Sequence, residues 1–138
     1  MQRRMLKSKI HGATVTDSNV NYEGSISLDL DLMDAADLTP HEEVHVWDLT
    51  NGTRLSTYVI PAGRGSRTVA INGAAALLVA GGDRVIVGSF ASYDESELDD
   101  FAARKVFVDE ANRITRIVMA GAGEDRRPVR EPAGAELC

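Results

Sequence analysis

The chain has 138 residues, 43% of them hydrophobic, 26% charged and 5% aromatic, with a formal net charge of −6. That length suits one domain whose core needs neither disulfides nor metal for support. The apolar content excludes a disordered chain, no run approaches the ~20 apolar residues of a membrane helix, and the acidic balance argues against nucleic acid as a partner.

In chain order, Met5 to Thr16 is rich in β-branched and apolar residues and ends in the turn-like Asp17-Ser18-Asn19. Residues 26–32 alternate strictly, with Ile26, Leu28, Leu30 and Leu32 on one face, which predicts a half-buried strand. Met33 to Leu38 reads as one helical turn closed by Thr39-Pro40, and Val44 to Leu49 as an alternating strand. Asn51-Gly52 matches a two-residue hairpin turn, because both central positions of that turn favour positive φ. Leu55 to Ile60 is then the return strand, and Thr68 to Ile71 another. Asn72-Gly73 opens a short Ala/Leu-rich helix running to Ala80, with Asn72 as its N-cap. Arg84 to Phe90 is a near-continuous apolar strand, Asp94 to Ala103 a surface helix, and Val106–Val108 and Ile114–Met119 further strands. From Ala120 onward the Gly-, Pro- and charge-rich composition predicts a flexible tail over 120–138, which leaves one domain over 1–119. Many short strands joined by one-turn helices predict a mainly β fold, a small β-barrel.

The charges are unevenly spread. Residues 1–16 carry Arg3, Arg4, Lys7 and Lys9 without a carboxylate, and residues 49–82 carry Arg54, Arg64 and Arg67 without one. Much of the acidity falls in residues 93–110. Two readings stand: a chance distribution with a solvated acidic helix, or two basic segments meeting around a small anion.

Common catalytic constellations are missing: no GxxxxGK loop, no HExxH and no GxSxG. Cys138 is the only cysteine and the three histidines (His11, His41, His45) are scattered, so neither a disulfide framework nor a metal site is expected. Met1 to Leu6 is basic and lacks the apolar stretch of a secretory signal, which points to the cytoplasm. What remains is a set of turn-rich segments with hydroxyl, aromatic and guanidinium groups beside them.

Those segments resemble the pyruvoyl-dependent aspartate 1-decarboxylases, which make β-alanine for pantothenate and coenzyme A synthesis. The resemblance is carried by Met5 to His11, Tyr22-Glu23-Gly24-Ser25, Trp47 to Gly52, Arg54, Ser56-Thr57-Tyr58, Arg64-Gly65-Ser66 and Asn72-Gly73-Ala74-Ala75-Ala76, in order and from Met1 to about Val118. The family pattern is left at Asn21, Gly63 and Leu77.

The resemblance implies a double-psi β-barrel and a chain that cuts itself between Gly24 and Ser25, giving residues 1–24 and 25–138. Ser25 becomes a pyruvoyl cofactor whose ketone condenses with the amine of L-aspartate and takes up the electrons released as CO2 leaves. Thr57 would stabilise the oxyanion of the cleavage reaction, and Tyr58 would reprotonate the product. Arg54, with Lys9 and His11, would bind substrate carboxylate, and Asn72, Gly73, Ala74 and Ala75 would contact substrate. A homotetramer with sites between subunits is implied as well. Arg54 and Tyr58 share one face of a regular strand, and Thr57 points to the other. Either the strand twists there or two subunits share the pocket. The rival reading is an uncut, non-enzymatic barrel that serves as a binding module.

Overall fold

A computed structural model describes residues 1–121. Nine strands, β1 (Gln2–Thr14), β2 (Asp17–Asn19), β3 (Ser25–Asp29), β4 (Glu43–Asp48), β5 (Arg54–Ala62), β6 (Val69–Asn72), β7 (Arg84–Asp94), β8 (Ala102–Val108) and β9 (Ile114–Gly121), join in the order β2-β6-β3-β5-β4-β7-β1-β8-β9. Three pairs, β1/β8, β2/β6 and β3/β5, are parallel and the rest antiparallel. Consecutive β1 and β2 stand far apart in this order, and Thr16 N–H bonds the Val69 carbonyl at 2.7 Å, so the sheet curls around one core. Ile10, Ile26, Leu28, Val46, Val59 and Ile71 are fully buried within that core. The fold is the expected mainly β, small barrel with short helices. Among the described residues no helix is long and apolar enough to cross a membrane.

Several local expectations need correction. The alternating run after Ile26 stops being a strand at Asp29, and α1 (Leu30–Ala35) starts there. Asp29 explains the switch: its carboxylate accepts from the N–H groups of Asp31, Gly65 and Arg67 at 2.7–2.9 Å, capping the helix and tying it to the 63–68 loop. Burial raises the Asp29 pKa, but these N–H groups outweigh it and hold the carboxyl below its ordinary value.

Asn51-Gly52 is not a two-residue hairpin turn. Asp48 N–H bonds the Thr53 carbonyl and Gly52 N–H the Asp48 carbonyl, closing a longer loop in which Gly52 has φ +80° and Asn51 stays out of the left-handed region. The Asp48 carboxylate selects this loop by accepting from Thr50 and Asn51 N–H. Asp17-Ser18-Asn19 pairs with β6 as a strand instead of turning.

The acidic segment is not a helix. Strand β7 continues to Asp94, opposite Gln2, and a single 3₁₀ turn (Glu95–Glu97) follows before β8 begins at Ala102. Asp94 and Glu97 form a capping box around that turn, and only Leu98 is buried along it, so no apolar stripe favours a longer helix. Strand β9 runs through Ala120 to Gly121, two residues past the expected domain end, and the rest of the expected tail lies outside the described residues.

Candidate active site

Strand β3 begins at Ser25 and pairs with β5 only from Ile26 opposite Val59. Residues 54–57 of β5 therefore have no neighbour on that edge, and a shallow cleft of about 290 Å³ opens there. Gly24, Leu55, Ser56, Thr57, Asn72, Ala74, Ala75 and Leu78 line it. The Gly24-Ser25 peptide thus lies at the cleft wall. Ser25 is 1% exposed, whereas Gly24 is exposed with nothing within 4 Å of where a Cβ would stand.

The serine hydroxyl is held. Asn72, opposite Ser25 across the β3/β6 ladder and 6% exposed, donates from Nδ2 to Ser25 Oγ at 2.9 Å and to Ser27 Oγ at 3.0 Å. Ser25 Oγ itself donates to the Glu23 carbonyl at 3.4 Å. The Asn72 side chain makes no helix-capping bond, contrary to expectation; its Nδ2 hydrogens go to the two serines.

The 3₁₀ helix Gly73–Leu77 comes close because of its first residue. A Cβ on Gly73 would lie 2.6 Å from Gly24 Cα and 2.7 Å from its N, and Gly73 has φ +73°. Only glycine fits there. Gly24, by contrast, stays out of the left-handed region and has open space where a side chain would stand.

Of the expected site residues, Gly24, Thr57, Asn72, Ala74 and Ala75 line this cleft, with Ser25 and Gly73 buried beside it, and Tyr58, Arg54, Lys9 and His11 do not line it. Strand β5 keeps an unbroken register with β4 from Tyr58 to Arg54, so Thr57 faces inward while Arg54 and Tyr58 stay outward. The unbroken register leaves no bulge between Arg54 and Tyr58. Tyr58 is 37% exposed, with its ring 6.0 Å from that of His41. The guanidinium of Arg54 sits over Trp47, 4.7 Å from the ring centroid. Lys9 lies opposite Gly88, which lies opposite His45, which lies opposite Ser56; His11, Ile86, Trp47 and Arg54 form the neighbouring row. Paired residues point to the same side, so Lys9, His11, Trp47, Arg54 and Tyr58 share one outer face of the sheet. Gly88 leaves room for the Trp47 ring, which stands 2.9 Å from its Cβ position.

Burial, then the positive charges of Lys9 and Arg84, lower the pKa of His11, whose buried Nδ1 has no partner. Both effects favour the neutral imidazole. Elsewhere the basic segments are largely neutralised by acids from other parts of the chain. Lys7 pairs with Glu42 at 2.6 Å, Arg3 with Glu95 at 2.6 Å, and Arg64 with Asp31 and Asp34 at 2.6 and 2.8 Å. From the two acid-free segments, Lys9 and Arg54 share the outer face, whereas Lys7 and Arg64 answer acids. Sequence reading also passed over Ser27, although Ser25 and Ser27 at alternate strand positions necessarily share a face. It gave no role to Trp47 either.

The fold is a mainly β barrel in which a buried, hydrogen-bonded serine follows an exposed glycine beside a small cleft. The family model described as aspartate decarboxylase matches residues 1–115, and the chain belongs to that family. It is 54% identical over 114 residues to the aspartate 1-decarboxylase of Syntrophus aciditrophicus, covering 83% of this chain and 98% of the relative. It is 52% identical over 117 residues to that of Wolinella succinogenes (85% and 97%) and 47% identical over 117 residues to that of Chromobacterium violaceum (85% and 93%).

Proposed function

We propose that this chain cuts itself between Gly24 and Ser25 and then decarboxylates L-aspartate to β-alanine, the precursor of pantothenate. The observation that carries the reading is the buried Ser25 Oγ, fixed by Asn72 at 2.9 Å next to the unobstructed Gly24.

In the cleavage, Ser25 Oγ bonds to the Gly24 carbonyl carbon and the amide C–N bond breaks, which turns the amide into an ester. Loss of the Ser25 Cα proton then breaks the Cβ–Oγ bond, and Oγ leaves as a carboxylate oxygen of Gly24. One water enters at Cα, ammonia leaves, and residue 25 ends as a pyruvoyl group without any external oxidant. Thr57, on the inward face of β5 and lining the same cleft as Gly24, would donate to the oxyanion formed there. The residues present suit such a group: a small cleft, a buried position 25 and the uncharged wall of Asn72, Ala74 and Ala75.

The pyruvoyl ketone supplies a carbonyl for the substrate amine and a sink for the electron pair released with CO2. The protein supplies orientation and protons. Arg54 offers a planar fork that matches a carboxylate, Lys9 a second positive charge, and Tyr58 a proton for the product. In one chain these three groups lie on the face opposite Thr57. A homotetramer with sites between subunits brings the outer face of one subunit to the cleft of the next.

The test is CO2 release from L-aspartate compared with L-glutamate under equal conditions. Preference for aspartate is expected; equal rates would overturn the substrate assignment.

A further inference from the structure

We propose that Ser27 is a positioning residue that holds the Asn72 amide in place through self-cleavage, an inference that rests on the reading above. The Asn72 amide nitrogen has two hydrogens and the structure uses both, one on Ser25 Oγ at 2.9 Å and one on Ser27 Oγ at 3.0 Å. Strand alternation puts both serines on the same face of β3, and the antiparallel register puts Asn72 directly across from Ser25.

Cleavage removes one of these acceptors, because Oγ departs with the Gly24 carboxylate. One Asn72 N–H then loses its partner. Asn72 lines the cleft, so that N–H is released toward whatever occupies it. The other N–H keeps Ser27. Without that anchor the amide is free to rotate, since a terminal amide torsion has only a broad, roughly two-fold preference. Ser27 therefore serves twice. It aims Asn72 at Ser25 Oγ before cleavage, and it keeps the released donor aimed into the cleft afterwards.

The experiment compares wild type, Ser27→Ala and Ser27→Thr as full chains, following the fraction cut with time by intact mass. The cut proteins are then titrated calorimetrically with succinate, which carries both carboxylates of aspartate but no amine and so binds without reacting. Ser27→Ala should be cut more slowly and, once cut, bind succinate about fivefold more weakly, the effect of roughly one hydrogen bond. Ser27→Thr, which keeps the hydroxyl, should restore both. Either quantity at its wild-type value in Ser27→Ala overturns the role of Ser27. A wild-type chain that stays uncut overturns the underlying reading, and this inference falls with it.

Discussion

Single side chains decide much of this molecule, and Asp48 is the plainest case. It is buried, with Oδ1 accepting from Thr50 and Asn51 N–H and Oδ2 unpartnered. Burial first, then the carboxyl of Asp83, raises its pKa. The folded chain thus binds a proton more readily than the unfolded one. The ionised pair costs stability above the raised folded value, and this cost is relieved as pH falls through it. Asp48→Asn keeps an oxygen for the loop and gives Asp83 a donor. It should melt about 3 °C higher at pH 7, with the gain shrinking as the pH approaches 4; a lower melting temperature at pH 7 would contradict the account. Under the proposed function, Tyr58→Phe should still be cut but lose turnover by about 100-fold, the contribution of a positioned proton donor. Normal CO2 release would remove Tyr58 from that role. The shared face of Arg54 and Tyr58, opposite Thr57, was legible from strand alternation. The bond from Asn72 to Ser27 was not, because it joins positions 45 residues apart.

At the scale of elements, the close approach of the 3₁₀ helix Gly73–Leu77 to the Gly24 backbone depends on the missing side chain of Gly73. Gly73→Ala sets a methyl against the Gly24 backbone and strains a left-handed φ. We expect cleavage slowed at least about tenfold and stability lowered by about 1–3 kcal/mol, read by timed intact mass and thermal melting. Cleavage at the wild-type rate would show that this contact does not shape the scissile peptide. Strands with regular alternation, such as β4 and β5, were readable from period alone. The failures came where polar side chains intervened. Asp29 ended a strand whose apolar alternation continued on paper, and Asp48 replaced a hairpin turn with a longer loop. The acidic run after Tyr93 misled for a related reason. It carries helix-compatible residues but no apolar face, and pairing of β7 with β1 claimed its start.

For the whole molecule, the net charge of −6 conceals basic strands whose cations mostly answer acids distant in sequence, as Arg3 does Glu95 and Arg64 does Asp31. Of the acid-free segments, Lys7 and Arg64 are thus taken up by acids from elsewhere in the chain. Lys9 and Arg54 remain on an outer face with Trp47 and Tyr58, away from Ser25. A shared site makes a specific prediction. Ser25→Ala lacks the processed residue but keeps Arg54, and Arg54→Ala has the reverse defect. Each alone should be nearly inactive. Co-expressed in mixed oligomers they should release CO2 well above the sum of the two separate proteins, whereas a mixture no better than that sum would place the whole site in one chain. The central claim is the cut itself, and intact mass of the purified protein tests it most directly. The account predicts two fragments, residues 1–24 and residues 25–138, the larger without a free N-terminal amine, and a single uncut chain for Ser25→Ala. A wild-type protein that remains one 138-residue chain under every condition would contradict it.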